Sequence, residues 1–196
     1  MVKPETQFLA VALSVAALST ASGQGTFQNL NFESASFVPI PGDPYGRVQF
    51  APAFPGWIAS VGTSQQTAAL SNNFFLDSSG MSIIDNDWPF LFGGVIEGNF
   101  TAIVQAGFAL GTFTLADTSL SQTGTIPAGT ESLRFKAFAD FGFSSSFAVS
   151  LGGQTLSLTP LENGPNYREY GADIPGWAGQ TTELRFTVFC RAAACQ

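Results

Sequence analysis

The sequence predicts an all-β protein in which two sheets pack face to face, and three observations lead to this fold class. The chain contains 20 Phe and 21 Gly but only 11% charged residues, a composition that provides a large apolar core. Apolar stretches with alternating residues recur along the chain, and Gly, Pro, Ser and Asn separate them. These stretches are too short and too rich in β-branched and aromatic residues for long helices.

The expected strands follow one another without a linker that would indicate a second domain. Alternation is clear in "SLRFKA", where Leu133, Phe135 and Ala137 share one face and Arg134 and Lys136 share the other. In chain order the strand segments are 27–37, 56–62, 67–77, 81–85, 99–107, 108–116, 119–126, 132–139, 146–153, 154–160 and 182–189.

The last of these segments repeats the pattern. Leu184, Phe186 and Val188 alternate with polar residues, so that one face is expected in the core. Between two earlier segments, Gly152 and Gly153 predict a tight hairpin turn, because glycine adopts the positive φ angles that such turns need. Strands of this kind, each with one solvent-exposed face and one buried face, predict a sandwich of two sheets.

The N-terminal residues have the pattern of an export signal. "FLAVALSVAAL" (8–18) is an uncharged apolar run behind Lys3, and small residues follow it. The run is shorter than the roughly 20 residues that span a bilayer. We therefore predict a signal peptide at 1–23, cleaved after Ala21 or Gly23, and a secreted or cell-surface domain at 24–189. The alternative is a buried N-terminal helix.

The charge balance excludes some partners. A net charge of −7 with few, scattered basic residues disfavours binding to nucleic acid and to anionic membrane surfaces. The uncharged stretch 100–116 contains two Gly and three Thr, so it is expected to form two strands. We predict no membrane span in the mature chain.

Several motifs in order carry a family resemblance: "NLNFES", "FPGW", "VIEGNFTAIVQAG", "SLSQTGTIPAGTESLRFKA" and "YGADIPGWAGQTTELRFTV". They resemble the galactose-binding-like jelly rolls of exported bacterial proteins, in particular the PEP-CTERM ectodomains of Verrucomicrobia and Planctomycetes. The resemblance covers nearly all of the mature chain. It implies a jelly-roll sandwich similar to a carbohydrate-binding module, outside a Gram-negative cell, with no catalytic residues defined.

The C-terminal residues depart from that family. Its members continue after the strand that matches "TELRFTV" into a closing strand and a sorting tag, whereas here "CRAAACQ" (190–196) follows. Cys190 and Cys195 are the two cysteines and can bridge only each other. We predict an irregular, truncated tail at 190–196 and a sandwich that lacks its last strand.

Residues for catalysis are scarce in the sequence. There is no His, which removes the usual general base and the commonest transition-metal ligand. Glycoside hydrolysis needs two carboxylates, and Asp85, Asp87, Glu97 and Glu162 are candidates, although nothing in the sequence pairs them. We predict a protein that is not an enzyme.

The loop "IIDNDWPFLFGG" contains the first candidate site. Asp85 and Asp87 offer oxygen ligands for Ca²⁺, and Trp88 is suited to stack on a sugar ring. Turn chemistry and a core position are the alternatives. The resemblance adds Glu33, since related jelly rolls often hold a structural Ca²⁺ near that position. No cofactor is required by these patterns.

The segment "NGPNYREYG" contains the second candidate site. Tyr167, Arg168 and Tyr170 form either a glycan-contacting rim or a loop that covers one end of the sandwich. The sequence thus predicts a non-catalytic exported domain that binds a polysaccharide or cell-surface glycan. The alternatives are an envelope or matrix protein that binds other proteins and, third, a carbohydrate-active enzyme.

Overall fold

The computed structural model describes residues 10–14, 25–74, 78–88, 94–139 and 146–190, and these form an all-β sandwich, which confirms the predicted fold class. Two short helical turns, Phe50–Ala53 and Pro175–Trp177, interrupt the strands. The strands are β1 (Ala10–Ser14), β2 (Val48–Gln49), β3 (Ile58–Val61), β4 (Ser64–Gln65), β5 (Ala68–Ser71), β6 (Gly80–Asp85), β7 (Phe100–Gln105), β8 (Gly107–Phe108), β9 (Leu115–Ala116), β10 (Thr118–Thr125), β11 (Ser132–Ala139), β12 (Ser146–Leu151), β13 (Gln154–Thr155), β14 (Thr159–Asn163), β15 (Arg168–Asp173) and β16 (Thr181–Phe189).

The strands form one large sheet, one small sheet and a two-stranded hairpin. The large sheet has eight strands in the order β14-β15-β11-β1-β7-β6-β5-β2, and the small sheet has six in the order β13-β12-β16-β10-β3-β4. Strands β8 and β9 form a separate two-stranded hairpin, and an isolated parallel bridge joins Phe108 of β8 to Ser78, just before β6. Most pairs are antiparallel, whereas β5 and β6 run parallel. The connections that would define a jelly roll stay a prediction.

One core lies between the two sheets. The rings of Phe135, from β11, and Phe186, from β16, meet edge to face with their centroids 5.3 Å apart. This contact confirms the inward faces predicted from the alternation in both strands. The other inward residues of the sheets include Met81, Ile83, Ala102, Val104, Ala137, Ala59, Leu120, Val149, Leu151, Leu184 and Val188.

Residues 27–37 do not form the predicted strand. The backbone turns at Asn29 and Phe32, whose φ angles are 48° and 63°. The side chain of Phe32 is fully buried and stacks on Trp57 at 5.4 Å, and the Trp57 indole N–H donates to the Asn29 carbonyl at 3.1 Å. The apolar residues of this segment are therefore core residues of a folded loop, because local turns satisfy the backbone that a ladder would otherwise pair.

The outer borders of both sheets carry short or interrupted strands. β2, β4 and β13 have two residues each. β14 is exposed throughout, contains Pro160, and shifts register between Pro160 and Glu162. Such edges present little continuous unpaired backbone.

Strand β1 comes from the segment predicted to be a signal peptide. It lies inside the large sheet and pairs antiparallel with β11 on one side and with β7 on the other. The rest of the predicted signal peptide lies outside the described residues, and so does the tail 191–196.

Cys190 is disulfide-bonded, and Cys195 is the other cysteine of the chain. Within the described ranges, no helix has the length and apolar character needed to cross a membrane.

Candidate ligand-binding surfaces

Trp88 lies on the outer side of the large sheet. It packs against Ile84 and Ile103, which form a small buried cluster separate from the main core. Its ring also meets that of Phe74 at 6.1 Å, edge to face. Part of the indole therefore covers the sheet, and the remainder reaches the surface.

The two acidic residues beside Trp88 form a turn. One carboxylate oxygen of Asp85 accepts a hydrogen bond from the Asn72 side-chain amide at 2.7 Å and another from the backbone N–H of Asp87 at 2.9 Å. The backbone N–H of Asp85 donates to the Asn72 side-chain oxygen at 2.9 Å. This reciprocal pair fixes the end of β6.

Glu33 belongs to the loop 27–37, and its carboxylate reaches the start of β7, where it accepts three hydrogen bonds. The backbone N–H and the side-chain amide of Asn99 each donate at 2.8 Å, and the backbone N–H of Phe100 donates at 3.1 Å. Across the described parts of the chain, no three acidic or thiol side chains form a metal-binding group. Calcium binding at Glu33, Asp85 and Asp87 stays a prediction.

The second predicted site divides between the two sides of the large sheet. Tyr170 faces inward on β15, where its ring stacks on Phe135 at 5.5 Å and meets Phe147 at 5.4 Å. Arg168 donates to the Asn163 side-chain oxygen on the neighbouring strand at 2.8 Å. The structure therefore does not bring Tyr170 to a common rim with Tyr167.

Tyr167 belongs to a polar cluster on the outer surface. The ammonium group of Lys136 lies over its ring, 4.9 Å from the centroid, and forms an ion pair with Glu97 at 2.9 Å. Partial burial lowers the pKa of Lys136, but the hydrogen bond and charge of Glu97 outweigh this effect and raise that pKa above its usual value. Lys136 is therefore charged at neutral pH.

A groove that the sequence did not predict lies on the outer face of β11, β15 and β14. Its volume is about 510 Å³, within the range of small-ligand sites. Arg134 of β11 pairs in register with Gly171 of β15, which pairs in turn with Thr159 of β14. Because Gly171 has no side chain, the middle strand forms a low floor, and Leu161 leans over it. The lining residues are Glu131, Ser132, Arg134, Ser157, Thr159, Leu161, Gly171, Ala172 and Asp173.

Comparison of the chain with family models, with curated proteins and with solved structures finds no match.

The charged groups of the groove keep most of their hydrogen-bonding capacity. The Arg134 side chain is 53% exposed, and its guanidinium contacts Glu169 at 3.9 Å, beyond hydrogen-bonding distance. Glu131 and Asp173 are exposed, and no side chain in the described ranges donates to either carboxylate. The backbone N–H of Ile174 donates to the Glu131 carbonyl at 2.8 Å, which holds the two acidic residues near each other. Arg134, Glu131 and Asp173 can thus form hydrogen bonds to a ligand. The carboxylates of Glu33 and Asp85, in contrast, already accept hydrogen bonds within the fold.

A second cavity, of about 660 Å³, lies on the outer face of the small sheet beside the β8–β9 hairpin. Its guanidinium group, from Arg185, donates to both carboxylate oxygens of Glu183 at 2.9 and 2.8 Å and to the Ser119 hydroxyl at 2.7 Å. The basic group of this cavity is therefore occupied by the protein itself. At the tip of the hairpin, Phe113 is 97% exposed.

Proposed function

We propose that the protein is a non-catalytic, exported carbohydrate-binding domain that holds a glycan or exopolysaccharide in the groove on β11, β15 and β14. The observation that carries the proposal is the unused hydrogen-bonding capacity of Arg134, Glu131 and Asp173 around one floor. A carboxylate accepts hydrogen bonds from neighbouring hydroxyls, and a guanidinium donates two or more in a fixed plane. Leu161 adds an apolar contact for the C–H face of a sugar ring.

The exposure of the groove favours binding over hydrolysis. A glycosidase usually holds its general acid in an apolar pocket that excludes water. Glu131 and Asp173 are both exposed. The carboxylates named from the sequence do not meet this need either: Glu97 is engaged by Lys136, and Glu162 lies on an exposed edge strand. Asp85 accepts a hydrogen bond from Asn72, and Asp87 is exposed.

The test is a polysaccharide binding screen followed by titration of a positive ligand with variants. Arg134→Ala should weaken binding about 10- to 100-fold, the effect of losing a hydrogen bond to a charged group. Arg168→Ala is the matched control, since it removes an exposed Arg from the same sheet outside the groove. Melting curves of both variants should match that of the wild type.

Two results would contradict this proposal. If Arg168→Ala or Trp88→Ala removes binding while Arg134→Ala does not, the ligand lies at the residues named from the sequence. If a polysaccharide is cleaved and Asp173→Asn stops the release of reducing ends, the domain is a carbohydrate-active enzyme.

A role as an envelope or matrix protein that binds other proteins is the second candidate, and the β8–β9 hairpin favours it. Phe113 is 97% exposed and Leu110 is 40% exposed, so the tip of this hairpin is apolar and open to solvent. Replacing Phe113 by Ser should leave the melting temperature unchanged and lower self-association in sedimentation measurements if this tip is a contact. Unchanged association would remove the argument for this candidate.

A further inference from the structure

Strand β1 links two parts of the large sheet that do not otherwise pair. On one side lies the group β14-β15-β11, and on the other lies β7-β6-β5-β2. Among the described strands, β7 pairs with β1 and β6, and β11 pairs with β1 and β15. Without β1, the facing edges of β7 and β11 would be separated by two strand spacings, about 9–10 Å.

The register places β1 in line with buried positions of both neighbours. Position 11 pairs with Val104 and position 13 pairs with Ala102 and Ala137, all of which are at most 1% exposed. An empty space here would leave two rows of backbone N–H and C=O groups unpaired beside the core, which is costly. The space therefore requires a strand.

We propose that the space between β7 and β11 is a strand-acceptor site, and that its ligand is the segment Ala10–Ser14 of the same chain. The sheet recognises this segment by strand addition, with main-chain hydrogen bonds to both neighbours. The same residues lie within the predicted signal peptide, so cleavage after Ala21 or Gly23 would sever the strand from the domain that it completes. The site then binds the severed segment in trans. This inference does not depend on carbohydrate binding.

The first experiment measures amide hydrogen exchange in the full chain. We expect the amides of Ala10–Ser14 to exchange about 100-fold more slowly than in an unstructured peptide, as in other interior strands. Ala12→Pro removes a ladder hydrogen bond and should raise exchange in both β7 and β11 by about tenfold or more. Ala12→Val keeps the N–H and is the matched control, with protection expected to stay as in the wild type.

The second experiment uses a chain that begins at Gly25 and a synthetic peptide of residues 8–18 with two Lys added at its C-terminal end. The peptide should bind with one-to-one stoichiometry and restore protection in β7 and β11. The same peptide with Pro at position 12 should bind at least about tenfold more weakly, because it cannot complete the ladder. If the shortened chain does not fold alone, the yield of refolded protein with each peptide is the measurement.

Three outcomes would overturn the proposal. Unprotected amides at Ala10–Ser14 in the folded full chain would show that the segment is not a strand of the sheet. Equal effects of the two peptides would overturn recognition in trans. A full chain that is a dimer, and that Ala12→Pro converts to a monomer, would assign the strand to a second copy and overturn the choice of the same chain.

Discussion

The Glu33 carboxylate holds the folded loop 27–37 to the first residues of β7, and its removal should destabilise the domain. Its three hydrogen bonds, two from Asn99 and one from Phe100, measure 2.8, 2.8 and 3.1 Å. Gly98 makes this close approach possible, since a Cβ atom there would lie 2.4 Å from a Glu33 oxygen. The carboxylate is half-buried and also satisfies backbone donors that would otherwise have to find water.

The expected loss follows from the strength of these bonds. A hydrogen bond to a charged group contributes about 1.5–3 kcal/mol, and three that share one partly exposed group contribute less than their sum. We expect Glu33→Ala to lower the free energy of unfolding by about 2–4 kcal/mol, out of a total of about 5–15 kcal/mol. In a domain of this size, a loss of about 3 kcal/mol lowers Tm by about 6–12 °C. Urea unfolding and thermal melting both measure it.

Glu162→Ala is the control for this prediction, because it removes an exposed carboxylate to which no described side chain donates. It should change the free energy of unfolding by no more than about 0.5 kcal/mol. If Glu33→Ala is no more destabilising than this control, the hydrogen bonds of the Glu33 carboxylate do not stabilise the domain. Calcium provides an additional result: if Ca²⁺ raises the Tm of the wild type but not of Glu33→Ala, the carboxylate is a calcium ligand as the family resemblance implies.

Three further predictions concern the core, one loop and one turn. Phe186→Ala empties a position that is 2% exposed, and urea unfolding should show a loss of about 3–5 kcal/mol. The hydrogen bond from Arg47 holds the pKa of Asp43 at about 2, below its usual 3.8. Thus the Tm advantage of the wild type over Asp43→Asn should be present at neutral pH and disappear as the pH falls from about 4 to about 2. Gly152→Ala places a methyl group about 3.0 Å from the Trp177 ring, at a φ of +55°. Gly153→Ala is the control, because its φ of +81° is also positive but the space around it is open. The Tm of Gly152→Ala should therefore fall below that of Gly153→Ala.

The sequence predicted the strands in which one face is fully buried. In the central parts of β11 and β16, at 133–137 and 183–188, apolar inward residues alternate with polar outward residues, so the period of two follows directly from burial. In β15 the pattern fails, because Arg168 and Asp173 are exposed and Gly171 forms the groove floor. The segment around Tyr170 was therefore interpreted as a loop, although Tyr170 packs on the core.

The groove could not be predicted for a related reason. Alternation placed Arg134 on an outward face, but its neighbours Gly171 and Thr159 come from strands whose register depends on long-range pairing. Local sequence does not encode which outward residues meet across three strands. The same holds for β1, since the local sequence of this apolar run favours a signal peptide, and its pairing with β7 and β11 is long-range.

The borders of the two sheets limit how copies of the molecule can associate. Among the described strands, the terminal ones are either two residues long or, in β14, broken by Pro160 and a register shift. Copies that meet at these described borders therefore find no straight ribbon of open amides along which a fibre could grow. Contacts between copies at these borders depend on side chains, which can be altered one residue at a time without disturbing the backbone ladder.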